Sequence, residues 1–499
     1  MKSFFKKFLF ASSFFRTQHS LKSFLKVGGV IIFILIGSFL MHFWNLGQPH
    51  EIVFDELYFG SFVNNYFNQT QYFDIHPPLG KLLIAGTAKL AGFEGTGFDF
   101  KSIGEDYQDV PIYWFRFLPA LVGSFLPLII FLFVLSLGGS LLAANISAFL
   151  VLFDNALLTQ SRFVFVDIFL LAFGFLGLTF FFWGIKNQIL RRKMILFIVS
   201  GVFFGLTISI KWTGLGFLAP ALLYFLYDGY KNKCLFLNIK TAILMCAIIF
   251  VLYFSFFVIH FSILTPKDQS VPFKSFYGVD FRQFEDYVPY KFLKPAWRYM
   301  GEFLITNKEM FLANKSITAQ HPYASTWLQW PFMQKPLYEW TKSASVTGTL
   351  QRIYLIGNPV TWFLYAIYMV LLPLLFLKLF LERKKIPRPI IFLVILYLFN
   401  WLPFAGIKRP MFIYHYLAAL CVSLVITVFV SDYFLKSASM PKQQLEDGRQ
   451  KSARWRFIKD RKWIIVAVVA GVIIFSFYKI LPLSYGIAVP DSWWFRFLL

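Results

Sequence analysis

Long apolar runs separated by short polar segments dominate this chain. An α-helix needs roughly 20 apolar residues to cross a hydrocarbon core. By that measure the runs predict about eleven spans, at 27–44, 112–137, 141–153, 163–185, 195–210, 214–226, 242–264, 360–380, 390–404, 411–430 and 463–480. The runs at 141–153 and 214–226 are short, so their boundaries are the weakest. Two other stretches, 54–67 and 79–90, repeat apolar residues at helical spacing with polar residues between them. That is the pattern of amphipathic helices lying along an interface. His76-Pro77-Pro78 breaks the chain between them, because proline lacks an N–H and restricts its predecessor. Segment 265–356 mixes aromatics, prolines and charges without a spanning run, and predicts a small external cap. The expected architecture is an all-α polytopic membrane protein. A module at 1–264 carries a long outer loop (46–111), the cap follows at 265–356, and a second membrane module occupies 357–499.

Composition agrees: 58% of residues are hydrophobic and 15% charged, against about 45–50% and about 25% in soluble domains. A net charge of +23 raises nucleic acid as a partner, but its distribution argues against one. Basic residues cluster in short segments between spans, as in cytoplasmic loops, and are not interleaved with exposed aromatics. Lys2, Lys6, Lys7, Arg16, Lys22 and Lys26 precede the first span and predict a cytoplasmic N-terminus. Alternation then puts Lys186 to Lys193, Lys231 to Lys240, Lys378 to Arg388 and Lys436 to Lys462 inside. The acidic loop with Glu51, Asp55, Glu56, Asp74, Glu94, Asp99, Glu105, Asp106 and Asp109 falls outside. The first span is longer than a signal-peptide core and lacks a small-x-small site, so it reads as an uncleaved anchor. Cys234, Cys246 and Cys421 show no metal spacing and read as small core residues. Asn68-Gln69-Thr70 and Asn314-Lys315-Ser316 match the N-glycosylation acceptor pattern, which is short and common by chance.

The candidate chemistry lies at the outer ends of the spans. Asp55 and Glu56 are adjacent acids at a membrane edge, where charge is costly and usually faces a cavity or pathway. Arg116 opens the second span. Asp154, Gln160, Arg162 and Asp167 surround the next outer turn, Lys211 the one after, and Lys408, Arg409, Tyr414 and His415 the outer end of the tenth span. Acids and bases converging on one side predict a site for an anionic, lipid-linked ligand approached from the outer leaflet.

Several blocks make the chain recognisable. Phe54-Asp55-Glu56-Leu57-Tyr58-Phe59-Gly60 and Tyr72-Phe73-Asp74-Ile75-His76-Pro77-Pro78-Leu79-Gly80-Lys81 closely resemble the signature of protein O-mannosyltransferases. The resemblance continues through Asp154 to Arg162, Asp167, Lys211-Trp212-Thr213-Gly214, His321-Pro322 and Trp330-Pro331. It ends with Gly357-Asn358-Pro359, Asn400-Trp401-Leu402-Pro403 and Tyr414-His415-Tyr416-Leu417, so it runs in family order over nearly all of the chain. Ala418 stands where the family block often has proline. The resemblance implies the GT-C membrane glycosyltransferase fold, with mannose taken from a polyprenyl (dolichyl-type) phosphate and passed to protein Ser or Thr on the non-cytoplasmic face. Segment 265–356 is too short and too free of repeats for the β-trefoil MIR domain of eukaryotic members. That points to a bacterial-type member in the cytoplasmic membrane.

A Ser or Thr hydroxyl needs a positioned base as its oxygen bonds to the sugar, and a phosphate leaving group needs cations or donors. Asp55 is the expected base, as the resemblance also implies. Glu56 either positions acceptor or sugar or serves as a structural partner of Arg116. Arg116, Lys211, Arg409 and His415 are candidates for the lipid phosphate. His76 shapes the acceptor cleft through its turn, and Asp154, Gln160 and Arg162 form a polar network or touch substrate. No cofactor is predicted, although a divalent ion between acids and phosphate stays open. A GT-C transferase acting on a lipid or glycan, and a non-enzymatic transporter, are the two other readings.

Overall fold

The computed structural model describes residues 21–264, 294–318, 320–343, 348–439 and 453–490. The N-terminal cations Lys2, Lys6, Lys7 and Arg16 and part of the expected cap (265–293) lie outside the described residues. Each apolar run becomes a helix. The N-terminal module contains α1 (Leu21–Phe43), α2 (Glu56–Phe67), α3 (Leu79–Leu90), α4 (Ile112–Leu137), α5 (Leu141–Leu152), α6 (Asn155–Arg162), α7 (Asp167–Lys186), α8 (Leu190–Ile210), α9 (Leu215–Lys231) and α10 (Leu235–Leu264). Beyond it come α11 (Lys294–Ser316), α12 (Pro359–Leu381), α13 (Arg388–Trp401), α14 (Leu417–Ser439) and α15 (Ala453–Tyr485). The two amphipathic stretches of the first loop are α2 and α3.

Among the described residues, eight helical segments are long and apolar enough to cross a membrane. The difference from eleven has local causes. Helix α5 has 12 residues and bends by 60° into α6, α9 has 17, and the described apolar part of α1 runs from Gly28 to Phe43. The turn expected after α5 is therefore the short helix α6, every residue of which is buried. The span centred on α14 is 89% buried, whereas α10 is only 17% buried and exposes Ile243, Phe250 and Val251. Apolar area costs about 25 cal/mol per Å² in water, so such a helix needs lipid against it. The chain is a multi-pass membrane protein.

Close packing in the first module depends on small residues along α7. A Cβ at Gly174, Gly177 or Gly184 would meet the rings of Phe217, Phe204 and Phe197 at 2.7, 2.8 and 2.8 Å. Aromatic side chains from α8 and α9 thus seat directly on the α7 backbone, the usual way membrane helices approach closely. At the opposite end of the fold, Asn358 caps α12 and donates to the carbonyls of Phe153 and Ile473, both at 3.0 Å. The Gly357-Asn358-Pro359 block therefore ties the start of α12 to the end of α5 and to the middle of α15.

A small sheet was not foreseen by the all-α reading. Strands β1 (Leu337–Ser343) and β2 (Thr349–Leu355) form an antiparallel hairpin, and β3 (Val489–Pro490) adds to its edge. Leu337, Trp340, Ile353 and Leu355 are buried, which anchors the hairpin to the bundle. It also grips the first long loop (46–111). The Trp340 indole donates to the Glu51 carboxylate at 3.0 Å, Lys342 pairs with Glu51, and the Phe54 N–H donates to the Glu339 carbonyl at 3.2 Å.

Candidate active site

The first loop delivers Asp55 through a strained turn. Phe54 has φ +41°, a left-handed conformation uncommon for a bulky residue. The Glu339 carbonyl holds its N–H, and its ring lies edge-on to His321 and Phe412. Such strain persists only where the surroundings over-determine it, and it clusters at functional sites. Asp55 begins α2 but makes no side-chain cap bond to it. Its half-buried carboxyl is pushed up to about 7, chiefly by burial, with Lys211 and Arg409 opposing and Asp167 and Asp74 reinforcing the shift.

Glu56, one residue on, has the opposite surroundings. It is fully buried and accepts five hydrogen bonds: from the Val53 and Val164 N–H groups (3.0 and 2.9 Å), the Tyr107 hydroxyl (2.9 Å), and Arg116 Nε and Nη2 (2.7 Å each). Arg116 completes its own set on the carbonyls of Leu46, Pro49 and Glu51. All five N–H donors of that guanidinium are therefore occupied within the loop. This differs from the expectation that Arg116 holds phosphate; a buried carboxylate this close takes the cation first.

Arg162 is likewise engaged by backbone carbonyls. It donates to the carbonyls of Met41, His42, Trp44 and Asn45 at the C-terminal end of α1 and stacks 4.1 Å from the Tyr485 ring. Unpaired carbonyls at a helix end attract such a cation. Asp154 caps α6 through the Leu157 N–H at 3.0 Å. Gln160 donates to Asp167 at 3.1 Å, so it supports the site through that acid.

The remaining predicted residues converge around Asp55. Lys211 leaves the end of α8 in an extended conformation and binds both Asp167 oxygens at 2.8 and 2.9 Å, over the Tyr414 ring. His415 is half-buried, bonds the Phe412 backbone through Nδ1, and stacks on Tyr414 and Trp330. His76 is held well below its ordinary pKa by burial and by the cations Lys211, Arg409 and Lys81, and so is neutral at pH 7. Arg409 has neither an ion pair nor a hydrogen bond among the described residues. The result is a free carboxyl and an uncommitted guanidinium in one cationic neighbourhood.

Two further residues were given no role from sequence. Lys81 is buried against Asp74 and donates to the His76 and Pro77 carbonyls at 3.0 and 3.1 Å, fixing the turn between α2 and α3. Its block was visible, but the pairing was not. Glu339 lies on β1 and holds the residue before Asp55 through its backbone carbonyl; its only sequence signal is a lone acid between Tyr338 and Trp340. A cavity beside the site is lined by Asp74, His76 and Lys81 on one wall and by His260, Glu302 and Thr306 on the other. No group of three or more His, Cys, Asp or Glu side chains among the described residues is arranged to hold a metal ion.

Residues 31–265 match the family model described as dolichyl-phosphate-mannose-protein mannosyltransferase, and residues 299–496 match the C-terminal four-helix membrane region of protein O-mannosyltransferase. Protein O-mannosyltransferase 1 of Drosophila pseudoobscura is 36% identical over 243 residues, 46% of this chain and 26% of the relative. The matched stretch is thus about a quarter of that relative's length. In three dimensions the chain resembles the Saccharomyces cerevisiae Pmt1-Pmt2 complex bound to the sugar donor, with TM-score 0.76, 17% identity, and 95% of this chain and 91% of that one covered. It also resembles ArnT of Cupriavidus metallidurans bound to undecaprenyl phosphate, with TM-score 0.52, 13% identity, and 94% and 77% covered. The fold is that of the GT-C glycosyltransferases. With family models matching residues 31–265 and 299–496, the chain belongs to the protein O-mannosyltransferase family.

Proposed function

We propose that the protein transfers mannose from a polyprenyl-phosphate-mannose lipid to Ser or Thr hydroxyls of proteins on the non-cytoplasmic face of a bacterial cytoplasmic membrane. The observation that carries this reading is Asp55. It is the free acid of an adjacent pair whose other member is locked to Arg116, and it lies beside Lys211 and Arg409. As the acceptor oxygen attacks the sugar C1, Asp55 takes the hydroxyl proton. The bond from C1 to the phosphate oxygen breaks, and its electron pair leaves with the lipid phosphate. Arg409 and Lys211, with neutral His76 and His415 as hydrogen-bonding neighbours, stabilise that anion. Direct displacement inverts the anomeric centre and needs no covalent enzyme intermediate.

In this reading Glu56, Arg116 and Arg162 shape the loop and do not touch substrate, while Asp154 and Gln160 support α6 and Asp167. The charge pattern supports an inside N-terminus, with the first loop and the hairpin outside. A test uses the full-length protein in vesicles with mannosyl lipid and a Ser/Thr peptide. Asp55→Asn should lower kcat by about 10²–10⁴-fold, the usual contribution of a general base, while donor binding persists. Transfer at the wild-type rate by that variant would overturn the assignment. Hexose found on a lipid or glycan instead of the peptide would redirect the acceptor class.

A further inference from the structure

Glu339 is 1% exposed, and among the described residues neither of its carboxyl oxygens has a hydrogen-bond partner. Buried polar atoms without partners are few in native proteins, and each asks for an explanation. Its placement supplies one. Strand pairing steps from Tyr338 opposite Tyr354 to Trp340 opposite Ile353, so Glu339 is the extra residue of a β-bulge. Bulges re-aim side chains and are over-represented next to active sites. The same residue's carbonyl holds the N–H of Phe54, the strained residue immediately before Asp55. A single point of the hairpin thus touches the backbone that aims Asp55 and carries a second buried carboxyl in the same neighbourhood.

We propose that Glu339 is a positioning residue that acts through Asp55, as the neutral acid member of a carboxyl pair built across the junction of hairpin and loop. The inference rests on the mannosyl-transfer reading of Asp55. A buried carboxylate without donors or a cation is not sustained; the group neutralises instead. Burial, then the charges of Asp55 and Glu56, hold the Glu339 carboxyl well above its ordinary range. The groups around the pair explain which member ionises. Asp55 has the cations Lys211 and Arg409 near it along with Asp167 and Asp74, whereas the neighbours of Glu339 are Asp55, Glu56 and the Tyr414 phenol. Asp55 therefore ionises first, and Glu339 keeps its proton through the catalytic range. A neutral Glu339 leaves the base charge undivided and the Phe54 turn intact; an ionised one would repel the base.

Two measurements test this. Infrared difference spectra of the full-length protein should show the C=O stretch of a protonated carboxylic acid at pH 8, lost in Glu339→Gln and retained in Asp55→Asn. In transfer assays, Glu339→Gln should keep the rate within about threefold and leave the acid limb of the pH profile in place. Glu339→Leu should lower kcat about tenfold at unchanged donor KM and move that limb up by about one pH unit, because an apolar neighbour disfavours the charged carboxylate. Absence of the carbonyl band in the wild type, or a limb that moves down in Glu339→Gln, would overturn the proposal. The spectrum needs no turnover, so a protein that transfers no mannose would sink the enzymatic reading while leaving the state of Glu339 measurable.

Discussion

Asp55 and Glu56 are neighbours in the chain, yet the turn at Phe54 sends them into different surroundings. One is half-buried among mixed charges, and the other is enclosed by five donors. The difference gives Asp55 a proton affinity suited to a general base, since the best base titrates near the working pH. The sign follows directly. Asp55 must be a carboxylate to accept a proton, and its carboxyl is raised to about 7. The value of kcat/KM should therefore be full above pH 8 and fall about tenfold per unit below pH 7, as measured with a saturating acceptor peptide. Arg409 is the matching cation. Arg409→Ala should raise the donor KM about 10–100-fold, the value of a hydrogen bond to a charged group, and Arg409→Lys should recover part of it. Titrating the donor lipid at fixed acceptor checks both.

At the scale of elements, the first loop is a built structure tied to several others. The Glu56–Arg116 pair joins α2 to α4 and fixes three loop carbonyls. Removing one partner of a buried pair strands the other charge, so Arg116→Ala should cost about 3–5 kcal/mol of stability. Replacing both residues with apolar ones of similar volume should restore much of that loss. Thermal unfolding in detergent, alongside activity per folded molecule, separates this from a catalytic effect. The bend between α5 and α6 serves the same loop, because it carries Arg162 to the end of α1 and Gln160 to Asp167. The blocks that named the family are therefore of two kinds. Asp55, Lys211 and His415 gather at the site, while Asn358, Arg162 and Glu56 hold helix ends and loop carbonyls in place.

Across the whole molecule, two sets of helices meet at the site. Residues of the first loop, the ends of α7 and α8 and the start of α14 converge from opposite halves of the chain, and the hairpin closes over them. The orientation is testable with a membrane-impermeant maleimide. In intact cells a cysteine at Thr96, in the first loop, should label, and one at Arg191, in the first turn of α8, should label only after permeabilisation. The reverse pattern would invert the topology.

Much of this was legible in the sequence because lipid imposes a strict rule. Backbone polar groups must be satisfied within each segment, so apolar length alone identifies helices. The amphipathic α2 and α3, the excess of cations between spans and the family blocks follow from local pattern in the same way. Pairing is a different matter. Whether Arg116 meets a phosphate or Glu56, and whether Arg162 faces a ligand or the end of α1, depends on contacts between residues 60 and 120 apart in the chain. Glu339 shows the limit most clearly, since a one-residue bulge in a distant hairpin decides where its carboxyl lies. Composition and periodicity determine which residues must be buried and which segments cross the membrane. Only the tertiary structure decides which buried charge is neutralised by which, because that choice depends on distance and dielectric, which the order of residues does not encode.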